Sequence, residues 1–312
     1  MNRLRKEFHE KGFVKIPRSL FVLDDDKLTD LRKEFDNLFQ GKYETGIYPD
    51  EINWRQGISK DYVTKELCNA WKASTKISET VRSPELGRLA CALMGWKSSR
   101  IGQDDVLDKP PKSYACVGFH QDGAYISDNF VPREDNSLTM WIALDDSDKE
   151  NGALVYAPGS HRWRSPNDEK IDVDMSSLSF HVATGNNDGK TKSENDDPGV
   201  TSIQDHLKPL HAAAIAASVD PIAALQNVET VAVAAGELLV HHQRVWHGSG
   251  PNQSLTRHRR ALVAHLLNGE VRWRSDRPPS YIYGRYFING ESVPREDFFP
   301  TTFSSGDESI SK

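Results

Sequence analysis

Three features are scarce in this 312-residue sequence, and each scarcity excludes a class of protein. Cysteine occurs only as Cys68, Cys91 and Cys116, with no CxxC pair, so neither a disulfide framework nor a thiolate zinc site is expected. No run approaches the roughly 18 apolar residues of a membrane-spanning helix. The amino-terminal segment is charged rather than apolar, so no signal peptide is predicted.

Positively charged residues are also fewer than negatively charged ones, 39 against 45. The formal net charge is -6 at pH 7, and lysine and arginine are scattered rather than clustered. Nucleic acids and anionic membranes favour basic patches, so neither is expected as the main partner. The free thiols suit a reducing compartment. We therefore expect a cytoplasmic protein that acts on a small molecule, while the oligomeric state is left open by the sequence.

The first part of the chain, residues 1–99, is predicted to be a mainly helical flank. A short helix precedes a strand over 13–16, and a second helix begins at Asp25 with apolar residues at helical spacing. Residues 41–61 have the composition of a loop. Residues 65–93 are predicted to be helical, with a break at a proline that suits the first turn of a new helix.

Short strand-like runs separated by turn residues occupy 100–162 and 228–302. Their close spacing predicts a β-sandwich or barrel core rather than alternating βαβ units. The intervening 163–227 is polar and has one helical pattern, which is typical of either a lid or a surface insertion. The expected fold is therefore α+β, with one domain over 1–312 and a frayed tail after Thr302.

The stretch 117–123 contains a candidate pair of metal ligands. Side chains alternate along a strand, so His120 and Asp122 point to the same face and can reach one ion. His247 follows a distant strand and precedes a turn-rich run, which makes it the preferred third ligand. Two histidines and one carboxylate on one face are the ligand set of non-haem Fe(II) oxygenases. The HxD triplet alone is weak evidence for such a site.

Other histidines and arginines compete for these roles. His241 and His242 lie inside an apolar strand, where one is expected to be a hydrogen-bonded core or rim residue. Arg259 lies on the following strand, where its guanidinium could hold the far end of a dicarboxylate through a two-pronged ion pair. A solvated surface charge is the alternative. Arg257 and Arg260 are the rivals, although Arg260 should point to the opposite face.

Several segments taken in order resemble the phytanoyl-CoA dioxygenase family. The matching segments are 8–14, 107–111, 118–122, 140–146, 151–154 leading to 158–161, and 247–252, followed by Arg259. The resemblance covers most of 5–267 apart from the 163–230 region. The motifs are specific as an ordered set, whereas none would be decisive alone.

This resemblance implies a double-stranded β-helix, which is a jelly-roll, cupin-like fold. It implies Fe(II) bound by His120, Asp122 and His247. It also implies 2-oxoglutarate as a co-substrate that chelates the iron through its 1-carboxylate and 2-oxo group. The interval from Asp122 to His247 is longer than usual in the family, in keeping with the insertion between them.

The far end of 2-oxoglutarate has its own implied contacts. The resemblance assigns its 5-carboxylate to Arg259 and the Ser249 hydroxyl, and Trp141 matches a tryptophan that lines the co-substrate pocket in relatives. The interval from the distal histidine to Arg259 is slightly longer than usual, which indicates an insertion in this turn.

The implied reaction consumes O2 and converts 2-oxoglutarate into succinate and CO2. It hydroxylates, desaturates or cyclises a small molecule at an unactivated C–H bond. Related halogenases have a small residue where Asp122 stands, so halogenation is not expected. Two alternatives remain open, a non-catalytic metal-binding barrel and a cupin-type metalloenzyme independent of 2-oxoglutarate, and neither requires Arg259 with Ser249. The sequence does not specify the substrate or whether it is a CoA ester.

Overall fold

The computed structural model describes residues 1–21, 23–166 and 205–306. The helices are α1 (Asn2–Lys11), α2 (Asp25–Phe39), α3 (Thr75–Val81), α4 (Pro84–Met94), α5 (Lys208–Ala216) and α6 (Pro221–Gln226). The strands are β1 (Phe13–Ile16), β2 (Glu51–Ile52), β3 (Lys65–Cys68), β4 (Ser98–Lys109), β5 (Val117–His120), β6 (Phe130–Val131), β7 (Ser137–Ala143), β8 (Leu154–Tyr156), β9 (Glu229–Thr230), β10 (Leu238–His242), β11 (His247–Ser249), β12 (Arg259–Asn268), β13 (Arg272–Trp273) and β14 (Thr301–Ser304).

Two antiparallel sheets contain most of these strands. The larger sheet has the order β1-β10-β7-β12-β4-β3-β2, with β14 also paired to β4, and the smaller sheet has the order β5-β11-β8-β9. From β4 to β12 the chain passes repeatedly between the two sheets. This is the strand arrangement expected of a jelly roll, and the predicted α+β fold with a double-stranded β-helix core is confirmed.

The two sheets face each other across an apolar layer. Trp141 of β7 and Val263 of β12 are direct partners in the larger sheet, and they cluster with Leu154 and Tyr156 of the smaller sheet. The opposite face of the larger sheet packs under the helices, where Phe35 of α2 belongs to a second cluster. Burial of one such large side chain is worth about 1.5–3 kcal/mol, so the barrel and its helical cover are stabilised together.

The helices begin and end at residues suited to those positions. The Asp24 carboxylate accepts a hydrogen bond from the backbone N–H of Lys27 at the start of α2. Ser83 caps α4 in the same way, with Pro84 as its first residue, and α4 ends at Gly95 in the left-handed conformation. These boundaries agree with the sequence prediction.

Two local predictions are wrong. Residues 65–68 form β3, which pairs with β4, so the predicted helical region begins only at α3. The region after Thr302 is not simply frayed, because β14 also pairs with β4. In both cases the assignment was made from local composition and pattern alone, whereas β4 of the large sheet supplied the hydrogen-bonding partner.

The predicted 163–227 insertion is only partly described. Residues 167–204 lie outside the described residues, and the lid hypothesis falls largely on them. The described part contains α5, whose Leu210 and Ala213 pack against Phe119 and Trp246 on the outside of the smaller sheet. None of the described helices combines the length and apolar character needed to cross a membrane.

Candidate metal centre

The HxD triplet lies where β5 ends and a tight turn begins. His120 is the last residue of β5, Gln121 remains extended with φ -125° and ψ 128°, and Asp122 is the first residue of a short 3₁₀ turn. The extended backbone between them directs both side chains to the same face. The Nε2 atom of His120 is 3.5 Å from Oδ1 of Asp122.

The second histidine arrives on the neighbouring strand. His247 begins β11 and is the direct cross-strand partner of His120, with ring centres 4.3 Å apart. Its Nε2 atom is 3.6 Å from Oδ1 of Asp122. The next residue is Gly248, where a Cβ would lie 2.7 Å from the backbone oxygen of Val117, so a glycine is needed for this close strand approach.

Backbone carbonyls orient both imidazole rings. Nδ1 of His120 is 2.9 Å from the Gly118 oxygen, and Nδ1 of His247 is 3.1 Å from the Val245 oxygen. A carbonyl can only accept, so we assign the ring hydrogen to Nδ1 in each case. In the neutral ring the lone pair is then on Nε2, the nitrogen turned towards Asp122. This is how proteins commonly present histidine to a metal.

The protonation states also suit metal binding. Burial lowers the pKa of His247 well below its ordinary value, so the ring is neutral at pH 7. Burial alone would raise the pKa of the Asp122 carboxyl, but the neighbouring His247 and His120 rings and a hydrogen bond from His241 outweigh that effect and hold the pKa well below its usual range. Neutral imidazoles and an ionised carboxylate are the forms that bind a divalent metal.

Asp122 has further hydrogen-bonding partners that the sequence did not indicate. The Tyr125 hydroxyl donates to Oδ1 over 2.8 Å, while Oδ2 contacts the Thr139 hydroxyl and lies 2.9 Å from Nε2 of His241. His242 points to the other side of the strand and contacts Asp135. Alternation along β10 predicts that only one of the adjacent histidines faces inward, but not which one.

Arg259 faces into the barrel, as the sequence analysis expected. It is buried, and its Nη1 donates to the Gly152 backbone oxygen over 2.9 Å. Burial lowers its pKa to about 10. The two rivals instead form ion pairs, Arg257 with Asp148 and Arg260 with a partly exposed carboxylate.

Lys109 is a second buried cation beside Arg259, and sequence reasoning gave it no role. The two residues are cross-strand partners in β4 and β12. The Lys109 ammonium donates to the Ser249 hydroxyl over 3.0 Å and to the backbone oxygens of Ala115 and Gly250 over 3.1 and 2.6 Å. Burial, with Arg259 nearby, lowers its pKa well below the ordinary value. The available signal was the alternation of side chains along β4, which puts Lys109 on the inward face of the sheet.

Among the described residues, this pair of cations lacks a counter-charge. In the described part of the chain, no carboxylate lies within ion-pairing distance of Lys109 or Arg259. The Arg259 Nε and the Trp141 Nε1 are also buried without a hydrogen-bond partner among those residues. The Trp141 ring centre is 5.6 Å from the guanidinium carbon. Unpaired buried donors are costly, so this region fits an anionic ligand rich in acceptor atoms.

Comparison with known proteins places these features in a family. Residues 8–261 match the family described as Phytanoyl-CoA dioxygenase (PhyH). The chain belongs to this family. It is 27% identical over 264 residues to the probable alpha-ketoglutarate-dependent hypophosphite dioxygenase of Stutzerimonas stutzeri, with 84% of this chain and 77% of that protein covered.

Solved structures share the fold of this phytanoyl-CoA dioxygenase family member. The non-heme alpha ketoglutarate dependent carbocyclase SnoK from nogalamycin biosynthesis is 23% identical, with a TM-score of 0.64 and 96% of each chain covered. EctD from S. alaskensis, solved with 2-oxoglutarate and 5-hydroxyectoine, is 16% identical, with a TM-score of 0.61 and coverage of 95% of this chain and 85% of that chain.

Membership in the phytanoyl-CoA dioxygenase family settles the class of chemistry. The protein is an Fe(II)- and 2-oxoglutarate-dependent dioxygenase, an oxidoreductase that uses O2 and acts on a small molecule. The buried donor set agrees with this class, because it combines a His-Asp-His cluster with donor atoms all within 4.8 Å of one another and an uncompensated cationic region.

Proposed function

We propose that this dioxygenase binds Fe(II) through the HxD pair and the distal histidine, and 2-oxoglutarate through the neighbouring buried cations. The proposed iron ligands are His120, Asp122 and His247. The proposed contacts of the 5-carboxylate are Lys109, Ser249 and Arg259. The observation that carries the proposal is the occurrence, inside one barrel, of a buried His-Asp-His cluster and of two buried basic side chains that have no carboxylate partner among the described residues.

The metal ligands supply one part of the chemistry. His120, Asp122 and His247 would hold the ion with three donors, a ligand set that would leave room beside it for the co-substrate. When bound, iron and 2-oxoglutarate supply the oxidising power, while the protein supplies orientation and exclusion of water. The burial of all three ligand side chains supports this division of labour.

The cationic region supplies co-substrate recognition. Lys109 and Arg259 are buried before any ligand binds. Ligand binding therefore removes less water from them, and their desolvation opposes binding less. A carboxylate there accepts charge-assisted hydrogen bonds, each worth about 1.5–3 kcal/mol. The Trp141 indole N–H is a neutral donor beside the guanidinium and is proposed to line the same pocket.

We infer that the reaction is hydroxylation, desaturation or cyclisation at a C–H bond of the small-molecule substrate. Asp122 occupies the position that must be vacant for a halide to bind iron in related halogenases, so halogen transfer is disfavoured. The relative named as a hypophosphite dioxygenase and the structural neighbour named as a carbocyclase have different substrates. Family membership alone therefore leaves the substrate of this chain undefined, and a screen of metabolites by succinate release addresses it.

The direct test is anaerobic addition of Fe(II) and 2-oxoglutarate to the purified protein. The wild type should develop the weak visible charge-transfer band of an iron-bound 2-oxo acid. Asp122→Ala should lose iron binding, the band and succinate formation. Arg257→Met is the matched control, because Arg257 is at the surface and pairs with Asp148. Full 2-oxoglutarate decarboxylation by Asp122→Ala would contradict the proposed iron ligands.

A further inference from the structure

The two oxygens of the Asp122 carboxylate face different surroundings. Oδ1 is turned towards the Nε2 atoms of His120 and His247, at 3.5 and 3.6 Å. Oδ2 points to the inner face of the larger sheet, where it contacts the Thr139 hydroxyl and lies 2.9 Å from Nε2 of His241. Only one oxygen is therefore directed towards the space between the two histidines.

His241 is fixed as a hydrogen-bond donor to Oδ2. A carboxylate only accepts, so the hydrogen is on Nε2, and Nδ1 then accepts from the Tyr156 hydroxyl over 3.0 Å. The Tyr156 ring is fully buried and stacks on Phe13 with ring centres 4.2 Å apart. The imidazole is thus held from both ends and cannot swing away without breaking buried contacts.

Thr139 is the second donor to Oδ2. Its hydroxyl carries one hydrogen, and the close contact between its oxygen and Oδ2 requires that hydrogen to lie between them. The same hydroxyl oxygen is 2.9 Å from Nδ1 of His265, whose Nε2 is 2.8 Å from Asp105. Strands β7 and β12 therefore hold the threonine in place through direct pairing of Thr139 with His265.

We infer that Thr139 and His241 are positioning residues that restrict Asp122 to binding iron through one oxygen. This inference rests on the proposed metal site. If both oxygens bound the ion, Asp122 would take two coordination positions. With two histidines and a chelating 2-oxo acid, no position would then remain for O2. Two donors on Oδ2 oppose that change, because it would break two charge-assisted hydrogen bonds in a buried site.

The test measures whether a position on iron is vacant, by adding nitric oxide anaerobically to the Fe(II) and 2-oxoglutarate complex. Nitric oxide binding gives an S = 3/2 electron paramagnetic resonance signal. In the double variant Thr139→Val with His241→Phe, two charge-assisted hydrogen bonds are lost, and the loss of one alone corresponds to roughly tenfold, so the signal per bound iron at limiting nitric oxide should fall at least about tenfold. Thr139→Ser with His241→Gln restores both donors and should recover the signal.

A matched control is the adjacent residue on β10. His242 is also buried but faces the other way and contacts Asp135, so His242→Phe should leave the signal unchanged. A wild-type signal from the Thr139→Val, His241→Phe protein at full iron occupancy overturns the inference and leaves the proposed iron ligands intact. A wild type that forms no charge-transfer band overturns the proposed function, and the inference with it.

A second measurement needs no variant. Infrared difference spectra of wild-type protein with ¹³C-labelled aspartate, recorded with and without Mn(II) in the absence of oxygen, report how the ligand carboxylate binds. One-oxygen binding gives a wide separation between the asymmetric and symmetric carboxylate stretches, which is the expected result. A narrow separation, typical of binding through both oxygens, overturns the inference even if the variants do not fold.

Discussion

Buried charge is distributed unequally around the candidate site. At one end, the Asp122 carboxylate is surrounded by hydrogen-bond donors. At the other, Lys109 and Arg259 face each other across adjacent strands and lack a carboxylate among the described residues. A third group, Glu66, is buried near Asp105. The pair of cations and Glu66 each lead to a separate prediction.

Removal of either buried cation should weaken 2-oxoglutarate binding. Lys109→Met and Arg259→Met each delete a charge-assisted contact, so the dissociation constant of 2-oxoglutarate should rise roughly 10- to 150-fold with little change in Fe(II) affinity. Titration of the charge-transfer band measures the constant. Arg257→Met is again the surface control, and an unchanged constant for both buried variants would exclude this region as the carboxylate site.

Glu66 should make stability depend on pH. Burial and the nearby Asp105 raise its pKa to about 8, from an ordinary value of 4.5. Both folded and unfolded chains hold the proton below 4.5, but only the folded chain retains it between 4.5 and 8. Folding free energy is therefore lost as pH rises through this window, by up to about 1.4 kcal/mol for each pH unit.

Glu66→Gln should remove that loss. The amide is neutral at all pH values and its oxygen can still accept from Asn53, as the carboxyl does now. Urea unfolding at pH 5 and pH 9 should show similar stability for wild type and variant at the lower pH, and a variant more stable by a few kcal/mol at the higher pH. Glu270→Gln, at an exposed position, should show no such gain. Equal pH dependence in wild type and Glu66→Gln would contradict the raised pKa.

At the scale of elements, close contacts between loops and strands position the site. Gly152 precedes β8 with φ +81°, and its backbone oxygen accepts the hydrogen bond from Arg259. A Cβ there would lie 2.8 Å from the backbone oxygen of Gly250. The loop before β8 and the loop after β11 therefore meet at a point that tolerates no side chain.

Gly152→Ala should reduce both stability and co-substrate affinity. Gly46 provides a matched control, since it has φ +76° but a Cβ added there would meet no neighbouring atom within 4 Å. Both substitutions bear the left-handed backbone cost of about 1–2 kcal/mol. Gly152→Ala should lose roughly a further 1–3 kcal/mol in chemical denaturation and bind 2-oxoglutarate more weakly. Identical losses for the two variants would show that the loops can separate without consequence.

At the scale of the whole molecule, both ends of the described chain join the central sheet. β1 pairs with β10, and β14 pairs with β4. The region 1–99 is therefore not a separable flank, and we propose that the protein unfolds as one domain. Far-UV circular dichroism and tryptophan fluorescence should give superimposable denaturation curves. An early transition confined to one probe would instead indicate an independent amino-terminal unit.

The sequence predicted the structure correctly where the geometry depends on residues that are close together in the chain. Alternation along a strand predicted that His120 and Asp122 share a face and that Arg259 and Arg260 do not. The predicted helix start at Asp25 and the predicted break at Pro84 agree with the starts of α2 and α4. These features depend on neighbouring residues alone.

The remaining features depend on partners distant in the chain. β3 and β14 are short, and they became strands because β4 offered an edge to each. Lys109 and His241 form hydrogen bonds with residues of other elements that lie more than a hundred positions away in the chain. Such pairings follow from the register of the sheets, which local composition does not encode.

The pairing of β1 with β10 also has a consequence for the order of assembly during translation. Phe13 is synthesised 228 residues before its partner His241 (241 - 13 = 228). The imidazole at 247 follows later still. A nascent chain therefore holds β1 without its strand partner while the intervening residues are made, and the three proposed iron ligands can come together only after His247 has been synthesised.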